Sequence, residues 1–82
     1  MAGVPIDWHK VAKKEMHPLR YQLLCRYTDG EAHSPKQLCD EFDELIGNVS
    51  YHITTLVEAG LIRLKSTRQV RGAVEHFYVL VR

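Results

Sequence analysis

Eighty-two residues make one domain, residues 1–82, and a chain of this length buries only about 60–65% of the surface it exposes when unfolded, so its core must be small. With 45% hydrophobic and 26% charged residues and no apolar run near bilayer length, the composition excludes the disordered and membrane-spanning classes; "MAGVPIDWHK" lacks the basic start and apolar middle of a secretory signal, so a cytoplasmic location and no membrane partner are expected. The net charge of +1 conceals an uneven spread: five basic against two acidic residues over 1–28, five against one over 61–82, and between them six acids (Asp29, Glu31, Asp40, Glu41, Asp43, Glu44) against Lys36 alone over 29–44.

Ile6, Val11, Ala12 and Met16 fall at roughly helical spacing with Lys10, Lys13 and Lys14 between them, which predicts a short amphipathic helix. Pro18 suits the first turn of a second helix, where its missing N–H costs nothing; Leu19, Leu23, Leu24 and Tyr27 share one face, and the helix should stop near Asp29-Gly30. In "SPKQLCDEF" a third helix opens with Ser34 as N-cap, Pro35 at the first helical position and Gln37 where a capping box wants it; Leu38, Cys39 and Phe42 form its apolar stripe. A fourth helix spans about 45–59, because Val49, Ile53, Leu56 and Val57 follow the i, i+4, i+7, i+8 pattern and Gly60 supplies a left-handed end. A wheel centred on those four points Gly47, Asn48, Tyr51, Thr54, Thr55 and Glu58 outward and leaves Ser50 and His52 at the flanks.

Past Gly60 the period changes to two. Ile62 and Leu64 alternate with Arg63 and Lys65 as a half-buried strand, "TRQVRGA" reads as a loop with Gly72 as its turn residue, and "VEHFYVLV" returns as the second strand. Two helices at a short turn with a strand pair directly after them define an α+β winged helix-turn-helix: three to four helices followed by a two-stranded β-hairpin wing.

The outward face of the 45–59 helix carries side chains that both donate and accept hydrogen bonds, as reading base edges in a major groove requires; lysine or glutamate there would supply charge without that discrimination. Asn48, Tyr51, Thr54 and Thr55 are therefore the expected base-reading residues of a sequence-specific transcriptional regulator whose partner is double-stranded DNA. Ser50 and His52 suit a phosphate contact or a local packing bond equally well. Lys65, Arg68 and Arg71, on the wing at about 66–73 or beside it, are placed for the backbone or the adjacent minor groove, and Lys36 is counted with them.

"HPLRYQLLCRY" followed by "LCDEFDELIGNVSYHITTLVEAGLIRL" resembles the winged helix-turn-helix of ArsR-type bacterial transcriptional regulators, without a gap from Leu38 through Ser50, Tyr51 and His52 to "EAGLI" at 58–62. The resemblance covers about residues 17–80, and "RGAVEHFYVL" is similar to the wing of an actinobacterial and phage subgroup. There are departures. The C-x-C thiolate pair of the family's metal sensors is missing, since "KQLCDEF" has only Cys39; the chain ends at Arg82 on the second strand, where the family usually adds a dimer-forming helix; and "FDEL" replaces a turn of glycine, apolar residue and serine cap, so Asp43 is expected to cap the 45–59 helix.

His9, His17, His33, His52 and His76 form none of the paired spacings of a zinc site, and no phosphate loop, nucleophile elbow or carboxylate pair suggests an enzyme, so neither metal nor cofactor is expected. Cys25 and Cys39 are expected to be reduced and packed, and Trp8 with the apolar side of the first helix to cover the core or, less commonly, to form a partner surface. A homodimer on a two-fold site is expected if binding is specific. The acidic stretch keeps a rival open: a winged-helix protein-interaction module, an anti-repressor or phage accessory factor, that binds a protein partner and not DNA. A third reading is a redox- or metal-responsive regulator using Cys25 and Cys39.

Overall fold

The computed structural model describes residues 17–82; the helix expected over 6–16, with its lysines and Trp8, lies outside them. Helix α1 (Pro18–Arg26) starts where His17 Nδ1 accepts the Leu19 N–H at 3.1 Å and Pro18 occupies a position that needs no donor. It tightens into a 3₁₀ turn over Tyr27–Asp29, and Gly30, at φ 80°, ends the run at the expected stop. Helix α2 (Pro35–Phe42) opens on Ser34, whose Oγ accepts the Gln37 N–H at 3.1 Å. The capping box is only half made: the Gln37 side-chain amide donates to His33 Nδ1 (2.8 Å) and Glu41 (3.3 Å), because the buried His33 ring needs a donor there.

The turn into α3 (Ile46–Glu58) is built differently from expectation. Asp43 does not cap α3; it sits in the left-handed region (φ 53°, ψ 47°) and closes α2, with its own N–H and that of Glu44 both returning to Cys39 O. Asparagine, aspartate and glycine tolerate that conformation, and here the aspartate supplies it. The N-cap of α3 falls instead to Leu45, which has no side-chain oxygen to offer and is 74% exposed. At the far end Gly60 (φ 77°) and Leu61 donate to the carbonyls of Val57 and Leu56, so the freed helical carbonyls are satisfied and the chain turns into the sheet.

The core forms where these elements meet: Leu23, Leu24 and Tyr27 from α1 and its 3₁₀ turn, Leu38 and Cys39 from α2, Val49, Ile53 and Leu56 from α3, and Ile62. Each fully buried aliphatic side chain contributes about 1.5–3 kcal/mol, and α3 lies at the centre because its apolar stripe packs against both α1 and α2. Tyr27 is fully buried and donates its hydroxyl to His33 O at 2.9 Å; burial pushes its phenol pKa upward.

Strands β1 (Ile62–Val70) and β2 (Ala73–Leu80) form an antiparallel hairpin. The loop expected over 67–73 is strand almost to its tip. Thr67 and Val70 pair with His76 and Ala73, and only Arg71 and Gly72 turn the chain, both with positive φ (46° and 81°), as a tight two-residue connection requires. Leu64 is also unlike its expectation. Pairing passes from Leu64 opposite Tyr78 to Ser66 opposite Phe77, leaving Lys65 as the extra residue of a bulge, and burial along β1 stops at Ile62, so Leu64 is 48% exposed on a hairpin that extends past the helices.

The hairpin is tied to the helices at His33-Ser34. Its backbone bridges Tyr78 through His33 N–H to Tyr78 O (2.9 Å) and Tyr78 N–H to His33 O (3.0 Å), while Ser34 Oγ donates to Glu75 Oε2 at 2.5 Å. Ser34→Ala is expected to lose both the α2 cap and a Glu75 partner and to cost roughly 2 kcal/mol of stability. Leu45→Ser, which gives α3 the missing cap without removing a packed side chain, is expected to gain about 1 kcal/mol. Urea denaturation of the two variants beside wild type checks both signs.

Candidate nucleic-acid interface

Burial on α3 runs along Val49, His52, Ile53 and Leu56, so the opposite side of the helix faces outward around Tyr51, which is 64% exposed. Asn48 and Thr54 are exposed beside it, as expected. The Asn48 amide nitrogen lies 3.5 Å from Glu44 Oε1. Thr55 is half-buried and donates its hydroxyl to Tyr51 O at 3.1 Å, so its capacity to donate is already used within the helix. Ser50, half-buried, lies on the flank toward the hairpin.

That flank opens into a cleft of about 280 Å³ between α2, α3 and β2, lined among others by Lys36, Ile46, Ser50, Thr54, Val74 and His76. The hairpin forms its far wall. Of the basic residues expected to make contacts, Lys36 is paired with Asp40 (3.0 Å), and Arg68 lies along the sheet with Nη2 2.7 Å from Glu75 Oε1 and its guanidinium over the Phe77 ring. Glu75, held below the usual carboxylate range first by the Ser34 hydroxyl and then by Arg68, is ionised and neutralises that arginine. Lys65 on the bulge and Arg71 at the tip are exposed, and neither has an ion pair among the described residues.

The other flank carries His52. Sequence periodicity puts it at the edge of the outward face; in the fold only 6% of it is exposed. Its ring packs against His17 at 4.5 Å and Tyr51 at 5.3 Å, and Nδ1 accepts from Arg20 Nε at 3.0 Å. Arg20, which the sequence does not single out because a lone arginine on α1 reads as a solvated side chain, also lies over the Tyr51 ring, 5.8 Å from its centroid. The long-range contacts to His52 and Tyr51 reveal it.

Two flanks, one carrying the hairpin and one carrying Arg20, therefore border an uncharged hydrogen-bonding surface on the second helix of a helix pair joined by a short turn. Residues 16–65, 50 of the 82, match the family described as "Helix-turn-helix domain". The chain belongs to the helix-turn-helix domain family. Among curated proteins none matches it. Such domains are DNA-binding modules of transcription regulators, and in this chain the second helix of the pair is α3. The family match ends at Lys65, so most of the hairpin lies beyond it; together they make an α+β winged helix-turn-helix.

Cys25 and Cys39 are free thiols, Cys39 buried with Sγ donating to Lys36 O. Among the described residues no group of three histidine, cysteine, aspartate or glutamate side chains is placed to hold a metal ion, and no helix is long and apolar enough to cross a membrane.

Burial lowers the His52 pKa first, and the nearby Arg20 and His17 lower it further, against a smaller opposing effect of Glu44. A neutral ring is also the form that accepts from Arg20. The stability this contributes is complete above about pH 6.5, the ordinary histidine value, and is lost as pH falls below it toward the lower folded value. The melting temperature is expected to drop between pH 7.5 and 5.5, and His52→Asn, which keeps an acceptor at the Nδ1 position and cannot be protonated, to remove part of that drop. Equal pH slopes for the two proteins would contradict a depressed His52.

Proposed function

We propose that the protein is a sequence-specific transcriptional regulator of the ArsR type that lays α3 in the major groove of double-stranded DNA and sets the hairpin against the backbone or the adjacent minor groove. The observation that carries this reading is the uncharged face of Asn48, Tyr51 and Thr54 beside a hairpin tip that presents Arg71. Asn48, exposed, has an amide that can both donate to and accept from a base edge, and Tyr51 and Thr54 offer hydroxyls that do the same. Ser50 and Lys36, in the cleft between α3 and the hairpin, and Lys65 on the bulge are the backbone contacts of this arrangement, with Arg68 contributing once it exchanges Glu75 for phosphate. His52 and Thr55 act from within, through the groups they bond. One copy makes few contacts, so specific binding calls for two copies on a two-fold site with half-sites about one helical turn apart.

A second reading, a protein-interaction module that leaves DNA alone, is favoured by Leu45 and Ile46, exposed on the turn beside the acids Asp43 and Glu44. It gains ground if the protein binds no duplex at low salt and co-purifies with a polypeptide.

Selection of bound duplexes from a random pool, followed by affinity measurements on the enriched site, tests the first reading. Tyr51→Ala and Asn48→Ala are expected to relax sequence preference, by about 1–3 kcal/mol of lost discrimination for a well-made base contact. Arg71→Ala is expected to weaken binding to every sequence alike and to lower the slope of log affinity against log salt by about one. A pool that fails to enrich would remove the proposal.

A further inference from the structure

Arg20 stands apart from the other cations of this surface in how it is held. It comes from α1, outside the helix pair that defines the DNA-reading unit, yet its Nε donates to His52 Nδ1 at 3.0 Å and its guanidinium lies over Tyr51, an exposed side chain of α3. Both partners are on α3, five and six residues after its first residue Ile46, so the guanidinium is fixed relative to that helix. Among the described residues no carboxylate pairs with it, and its Nη1 and Nη2 atoms have no acceptor. The contrast with Lys36, Arg26 and Arg68, each held by an acid, is chemical: a neutral imidazole fixes direction and leaves the full positive charge available.

Position agrees with this. On α3 the hairpin borders the flank of Ile46, Ser50 and Thr54, and Arg20 borders the opposite flank at His52. A groove occupied by α3 has a phosphate chain along each side, and the hairpin reaches one of them. We propose that Arg20 is a phosphate-contacting residue on the other side, with His52 as its positioning residue; this rests on the DNA-binding reading above. The Nε–His52 bond leaves the two Nη groups of the guanidinium, which match two oxygens of one phosphate. His52 holds the guanidinium in place before DNA arrives, so little side-chain freedom is lost on binding.

The test is fluorescence anisotropy of the full chain with the selected duplex and with a random-sequence duplex, from 50 to 200 mM salt. Arg20→Gln is expected to weaken both duplexes by the same factor and to lower the salt slope by about 0.9, so that its deficit narrows about 3.5-fold across that range. His52→Leu is expected to give part of the same loss, His52→Asn to restore it, and the His52→Leu/Arg20→Gln double variant to be no weaker than Arg20→Gln alone, since His52 acts through Arg20. If Arg20→Gln does not fold, Arg20→Lys serves: it keeps the charge without the Nε–H, and a retained slope with reduced affinity supports the assignment. Wild-type affinity and slope in the Arg20 variants, with Tyr51→Ala still weakening the selected duplex, would overturn the role of Arg20 and leave the DNA reading standing. Failure of wild type to bind either duplex would remove both.

Discussion

The angle between the hairpin and α3 depends on two adjacent buried polar residues, His33 and Ser34. Neither contributes apolar area. Ser34 Oγ accepts the Gln37 N–H that would otherwise be unbonded at the start of α2, and donates to Glu75 on β2. The His33 ring accepts from Gln37 at Nδ1, so its Nε2 carries the proton and donates to Asp29, while its backbone bridges Tyr78. Every polar atom at this point is therefore satisfied, and no buried side-chain nitrogen or oxygen among the described residues lacks a partner. A small hairpin on a small core has few apolar contacts with which to set its direction; directional bonds do it here, and losing one would expose the others to an uncompensated desolvation cost.

The same network changes what the charges mean. The acidic middle of the chain argues against a DNA surface when counted from sequence. In the fold Arg26 binds Glu41 through two bonds (2.8 and 3.1 Å) and Asp29 at 2.7 Å, Lys36 takes Asp40, and Arg68 takes Glu75. Glu41 is held below its ordinary value mainly by Arg26, and Asp29 first by the Glu31 N–H and then by Arg26 and His33. Exposed pairs of this kind add little stability each, but they neutralise Asp29, Asp40, Glu41 and Glu75 locally, while Arg20, Lys65 and Arg71 have no ion pair among the described residues.

How much of this is legible in the sequence depends on how local the cause is. Helix periodicity and the Ser34, Pro35 and Gly60 signals place α1, α2 and α3 to within a residue or two, and the change of period after Gly60 places the hairpin. Asp43, Leu64 and the 67–73 loop come out differently because each is decided across the chain: Asp43 by the carbonyl it returns to, Leu64 by how far the helices extend along the sheet, and the strand length by cross-strand pairing through a bulge at Lys65. On the interface, exposure of Asn48, Tyr51 and Thr54 follows from one helix's period. The burial of His52, the engagement of Arg68 and the presence of Arg20 depend on partners 32, 7 and 32 residues away and leave no local pattern to read.

A titration of isotopically labelled protein with a duplex, followed by amide resonances, reports on the whole surface at once. If α3 reads DNA beside the hairpin, the amides of residues 47–55 and 65–72 shift together and saturate at one stoichiometry, while those along the 29–31 segment stay in place. Unmoved amides over 47–55, or shifts confined to the acidic segment, would contradict it.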